Sequence, residues 1–145
     1  MAIYQHILVA IDFTESIDQV IDKALAMRQA FGARMSLVHV VEPVMFGLAN
    51  ETFIPQELDI DRKLVELAGK HLEDLAKQYG MEDAGRFVEE GSIRREILRT
   101  AEQQQVDLIL VGSHGRSGVQ ALLGSTANAV LHGARCDVLA IRIRD

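Results

Sequence analysis

What most constrains this chain is an alternation: short runs rich in β-branched residues trade places with longer segments whose apolar residues recur every three or four positions. The runs "IYQHILVAI" (Ile3–Ile11), "RMSLVHVV" (Arg34–Val41), "GRFVEEG" (Gly85–Gly91), "VDLILVG" (Val106–Gly112) and "DVLAIRI" (Asp137–Ile143) read as strands. The first, second and fourth are nearly continuous in apolar character, the mark of strands covered on both faces. Between the first two, "SIDQVIDKALAMRQAFG" sets Ile17, Val20, Ile21, Ala24, Leu25 and Ala30 at helical spacing. That helix opens with Ser16 and Gln19 in capping-box register and closes at Gly32. Leu64, Leu67, Ala68, Leu72, Leu75 and Ala76 define a second helix over about Gln56–Tyr79, with Gly80 closing it. "SIRREILRTAEQQ" makes a third, capped by Ser92, and Thr126–His132 lies in a fourth. Glu42–Ile54 carries Pro, Gly and Asn without a period and reads as a long loop.

Strands that alternate with helices pair in parallel through right-handed crossovers. The expected architecture is therefore α/β: a single domain over residues 1–145, built on a doubly wound, open five-stranded parallel sheet of order 3-2-1-4-5 with helices on both faces. A chain of 145 residues is long enough for this, since it buries roughly two-thirds of its unfolded surface around one core. In that order the winding reverses between strands one and four, and doubly wound sheets bind ligands outside the carboxyl ends of the strands at such a point. Asp12 and Gly112 stand at those two ends.

The same place collects glycines. "VGSHGRSGVQALLGSTA" (Val111–Ala127) holds Gly112, Gly115, Gly118 and Gly124. A Walker A loop is excluded because it needs lysine before its hydroxyl residue, and Gly124 stands before Ser125. A dinucleotide fingerprint is excluded as well, because the spacing is G-x-x-G-x-x-G and follows the fourth strand. What fits is a phosphate cradle of main-chain N–H groups: Gly112 and Gly115 let the loop fold around an anion, and Gly124-Ser125-Thr126 open a helix whose free N–H groups and dipole face it. Two simpler roles stay open at this point, Asp12 as a cap for the first helix and Ser125 or Thr126 as an N-cap. Gly118 reads as a turn residue.

Over essentially its whole length the chain resembles the A-type universal stress proteins, through "HILVAID", "LVHVVE", "DLILVGSHGRSG", "LLGSTANAVL" and "CDVLAIR". ATP-binding members of that family carry G-x2-G-x9-G-(S/T). Here Gly112, Gly115 and Gly124-Ser125 match it with eight residues, Arg116–Leu123, between the last two glycines, one fewer than the pattern. The resemblance implies that Ala10, Asp12, Val40, Val111, Gly112, Gly115, Gly124, Ser125 and Thr126 surround an adenine nucleotide. ATP is the expected ligand, with ADP and AMP as variants and Mg²⁺ carried on the phosphates. Asp12 would accept from ribose hydroxyls, and the main chain of Val40 would pair with adenine. The resemblance also implies a regulatory stress-response protein that forms a homodimer through its C-terminal strand and acts on a protein partner, higher oligomers being open. Nucleotide state would bias the Glu42–Ile54 loop.

Fifteen basic against twenty-one acidic residues give a formal charge of −6, which disfavours general binding to nucleic acid or anionic membranes. No apolar stretch is long enough to span a bilayer. Cys136 is the single cysteine, so no intrachain disulfide forms, and it reads as a structural thiol. The start, "MAIYQHILVAI", lacks a basic leader region, so the cytoplasm is the default expectation. His39 reads as a packed residue, and the five histidines show no metal-ligand spacing. Hydrolysis would need a group to place water and a cation to offset charge. Asp12, Ser125 and a solvent Mg²⁺ could supply part of that set, but no basic finger or general base stands out beyond His114 and Arg116, so binding is expected to dominate, with slow hydrolysis at most. Two alternatives are a nucleotide-free homodimeric interaction protein of the same fold and an adenylating enzyme. The second lacks both S-G-G-x-D-S and H-I-G-H.

Overall fold

Among residues 3–43, 55–114 and 124–144, which the computed structural model describes, strands and helices alternate without exception. The order is β1 (His6–Ala10), α1 (Ile17–Phe31), β2 (Arg34–Val41), α2 (Pro55–Gln78), β3 (Gly85–Glu90), α3 (Ile93–Gln103), β4 (Leu108–Ser113), α4 (Ser125–Gly133) and β5 (Asp137–Arg142). The sheet runs β3-β2-β1-β4-β5 with every neighbouring pair parallel, as the alternation requires. Of the expected loop Glu42–Ile54, residues 44–54 lie outside the described residues, as do Gly115, Arg116 and Gly118.

The central strand explains why its sequence is apolar on consecutive positions. Ile7 and Val9 enter the layer that α1 and α2 close with Val20, Ile21, Ala24, Leu72 and Ala76. Leu8 enters the opposite layer with Val38, Ile97, Ile109 and Val130. All three β1 side chains are fully buried, and burial of each contributes about 1.5–3 kcal/mol. A polar residue at any of them would face a core, whichever side it took.

The helix ends match their signals in part. Gly32 closes α1 in the left-handed conformation at φ 63°, where a side chain would be strained. Ser92 caps α3 through its hydroxyl, which accepts from Arg95 N at 3.4 Å. The capping box of α1 does not form: Ser16 makes no side-chain cap bond. Gln19 instead grips the extension of β5, its Nε2 donating to Arg144 O at 2.7 Å and its Oε1 accepting from Arg144 N at 2.8 Å. One amide thereby satisfies both backbone polar groups of a residue just beyond the strand. On α2, Ala68, Leu72, Leu75 and Ala76 are buried as expected, whereas Leu64 and Leu67 are exposed. Those two share a stripe with Ile60 and His71, about 100° around the helix from the face that meets the sheet.

Candidate functional site

A gap opens where β1 stops. Its ladder ends at Ala10 opposite Val38 on one side and at Val9 opposite Leu110 on the other, while β2 continues to Val41 and β4 to Ser113. Successive residues of a strand turn their N–H and C=O groups to opposite sides. Val41 O accepts from Gly91 N at 3.0 Å on the β3 side, so the polar backbone of Val40 faces the gap. Ser113 O accepts from Ile143 N at 3.0 Å on the β5 side, so the backbone of Gly112 faces the gap from the other wall and that of Val111 turns to β5. Ala10 lies half-buried at the floor, against the layer of Leu8 and Val38.

Asp12 and His114 sit at the rim. One carboxylate oxygen, Oδ1, accepts from Thr14 Oγ1 at 2.7 Å and from Thr14 N at 3.3 Å, a local turn. The other, Oδ2, lies 3.3 Å from His114 Nε2. Asp12 therefore holds the turn after β1 rather than capping α1, which begins at Ile17.

The start of α4 faces the same end of the sheet. Its N-cap is Gly124, which makes no side-chain cap bond, so Ser125 and Thr126 are the first helical residues and not the cap. No hydroxyl at the cap position competes for the first-turn N–H groups. Gly124 N donates to Ser113 Oγ at 3.0 Å, tying the helix start to the end of β4. A Cβ on Gly124 would stand 3.1 Å from His114 N, which is backbone and does not yield. Gly112 lies near the end of the fourth strand, as expected, and not in the loop that follows. A Cβ there would meet Val20 Cγ2 at 3.1 Å and Ile143 Cδ1 at 3.4 Å, inside the α1 layer. Its missing side chain thus serves packing, and only its backbone faces the gap. The structure brings Ala10, Asp12, Val40, Val111, Gly112, Gly124, Ser125 and Thr126 to one end of the sheet.

Two features had no clear sequence signal. Ser113, the buried hydroxyl that receives Gly124 N, lies one residue past the strand expected over Val106–Gly112. Phe13 is stacked between His39 and His71, with ring centroids 4.1 and 3.9 Å apart, and His39 Nδ1 lies 2.7 Å from Ile11 O. This ladder joins the turn after β1 to β2 and α2. Cys136 is partly buried, and burial pushes its thiol pKa up, which suits a structural thiol. Among the described residues no group of three His, Cys, Asp or Glu side chains is placed to hold a metal ion, and no helix is long and apolar enough to cross a membrane.

Comparison with known proteins agrees with this geometry. A family model described as "Universal stress protein family" matches residues 3–142. Universal stress protein A homolog 2 of Coxiella burnetii is 41% identical over 143 residues, which cover 97% of each chain. The solved structure of MJ0577, a universal stress protein of Methanocaldococcus jannaschii, is 27% identical with a TM-score of 0.74 over 98% of each chain. A universal stress protein solved in complex with cAMP shares the fold at 21% identity and a TM-score of 0.62, over 97% of this chain and 98% of that one. The chain belongs to the universal stress protein family.

Proposed function

We propose that this chain is a regulatory stress-response protein that binds an adenine nucleotide, ATP first and ADP or AMP as variants, in the gap beyond the end of β1. The observation that carries the reading is the convergence on one gap of two strand backbones, Val40 and Gly112, with the glycine-capped start of α4. Each wall suits one part of a nucleotide. The gap-facing backbone of Val40 offers a donor and an acceptor to an adenine edge, Asp12 Oδ2 an acceptor to ribose hydroxyls, and the start of α4 N–H groups and a dipole to phosphates. Mg²⁺ would arrive with the phosphates and offset their charge. That a protein of this fold has been solved with cAMP supports a purine nucleotide as the ligand class. Asp12 and His114 are the acid–base side chains described at the rim, and they lie against each other, so retention of nucleotide outweighs turnover in this reading.

We further infer a homodimer that pairs through β5 and passes nucleotide state to a protein partner in the cytoplasm. The direct test is mass spectrometry of small molecules released from freshly purified protein, followed by calorimetric titration with ATP, ADP, AMP and cAMP. Released adenine nucleotide and saturable binding are expected. Protein that carries none and gives no heat with any of the four overturns the reading in favour of a nucleotide-free interaction protein.

A further inference from the structure

A second opening lies at the other end of β4, away from the nucleotide gap. α4 runs from one to the other: its start faces the gap, and its last residue, Gly133, lines a groove of about 730 Å³ between α3, α4 and the residues leading into β5. The groove has the size of small-molecule sites, which run from roughly 300 to 1,000 Å³. Its apolar lining includes Leu98, Ala101, Val106 and Ala134. Arginines line it too, on a chain whose net charge is −6.

Two of those arginines are balanced within the fold, Arg99 by Glu89 and Glu96 and Arg135 by Glu102. Arg94 and Arg95 are not. Arg94 Nε donates to Ala129 O at 3.4 Å and has no carboxylate partner among the described residues, and Arg95 has no side-chain partner among them. Both stand in the first turn of α3, where the helix dipole disfavours cations. The helix gains nothing from them there. Gly133 leaves Leu98 and Arg94 their places, since a Cβ on that glycine would come within 2.6 Å of Leu98 Cδ1 and 2.9 Å of the guanidinium.

We propose that this groove binds a small amphipathic anion, a carboxylate, sulfonate or phosphate head joined to an apolar body, with the head on Arg94 and Arg95 and the body over Leu98, Val106 and Ala134. Uncompensated guanidinium groups beside apolar side chains suit such a ligand because each half of it finds its own partner. The ligand is a free molecule, since an open groove between two helices takes up a chain or ring rather than a flat surface.

The probe is 1-anilinonaphthalene-8-sulfonate, a sulfonate on an aromatic body, titrated by fluorescence into the full chain, with dodecanoate as competitor. Wild type is expected to bind it saturably, dodecanoate to displace it, and saturating ATP to leave it in place. Arg94→Ala with Arg95→Ala should weaken binding at least about tenfold. Ala134→Phe should do the same by filling the groove, and the extended backbone at that residue, φ −75° and ψ 147°, accepts the new side chain. Should the phenylalanine variant fail to fold, the arginine pair, which is exposed, decides alone. Unchanged affinity in the arginine variant, displacement of the dye by ATP, or sedimentation with phosphatidylglycerol vesicles that depends on Arg94 and Arg95 overturns the proposal.

Discussion

His114 and Asp12 meet across the end of β1, the imidazole Nε2 lying 3.3 Å from carboxylate Oδ2. Both side chains are 48% exposed, and a pair in that setting contributes about 0–1 kcal/mol. Its effect is positional. Thr14 holds one oxygen and His114 borders the other, which fixes the carboxylate beside the gap where the proposed ribose would lie. Asp12→Asn should therefore lower ATP affinity by about 1.5–3 kcal/mol, roughly ten- to a hundredfold, and shrink discrimination against 2′-deoxy-ATP. Calorimetry with both nucleotides checks this. An asparagine variant that unfolds early yet binds both as wild type does would leave Asp12 only its role in the turn.

The two glycines of the site have opposite expected phenotypes. Gly124→Val would drive a side chain against His114 N, 3.1 Å from where its Cβ must stand, at the helix start proposed to receive phosphates. Loss of nucleotide binding with a retained fold is expected. Gly112→Ala would press on Val20 and Ile143 instead. It should lower stability by about 1–3 kcal/mol, as overpacked cores do, with affinity nearly kept. Thermal melts and titrations on both variants separate the roles, and a Gly112 variant that melts normally but binds nothing would reverse them.

That contrast also marks where the sequence stops being legible. The sheet order followed from the alternation of runs and helices, because parallel strands joined by right-handed crossovers leave few topologies. The position of the gap followed too, since Asp12 and Gly112 lie within two residues of the ends of the strands that flank the reversal. What an individual glycine does was not legible, because its missing Cβ matters only through neighbours distant in sequence: Val20 and Ile143 for Gly112, His114 for Gly124. Gln19 is a similar case. Local spacing suited a capping box, but a peptide at Arg144, 125 residues away, took the amide. The exposure of Leu64 and Leu67 shows the limit of periodicity, which gives an apolar arc and not the part of it that a sheet covers.

His6 gives the fold a pH dependence of its own. It is buried, with Nδ1 3.0 Å from Gln104 O and Nε2 2.7 Å from Ser36 Oγ. A carbonyl only accepts, so Nδ1 carries the proton and Nε2 accepts from the serine hydroxyl. Burial, and then the charge of Arg34, hold the imidazole pKa below its usual 6.5. The native state therefore binds this proton less readily than the unfolded chain. Stability is complete above about pH 6.5 and falls as pH drops through the lowered native value. The melting temperature should decline from about pH 7.5 to 5.5, and His6→Gln should flatten that decline while lowering stability at neutral pH. An equally steep decline in the variant would assign the effect to other groups.

The last prediction concerns the free edge of β5. Within the sheet β5 pairs with β4 alone. Ile143 N donates to Ser113 O, so the odd residues of the strand turn their backbone to β4. Val138, Ala140 and Arg142 then present N–H and C=O groups outward, on an edge that also exposes Leu139. An open apolar edge invites pairing, and a two-fold axis closes it by laying the strand antiparallel to its copy. Ala140→Pro removes one outward donor and no bond to β4, so it attacks the edge without touching the ladder behind it. Light scattering at micromolar concentration should show a wild-type dimer and a variant shifted toward monomer, with unchanged far-ultraviolet circular dichroism. If wild type is a monomer, or the proline variant stays dimeric, the copies do not meet through this strand. If the variant binds nucleotide as wild type does while its dimer is weakened, the two properties are separable, as expected of a gap that lies on the far side of β4 from this edge.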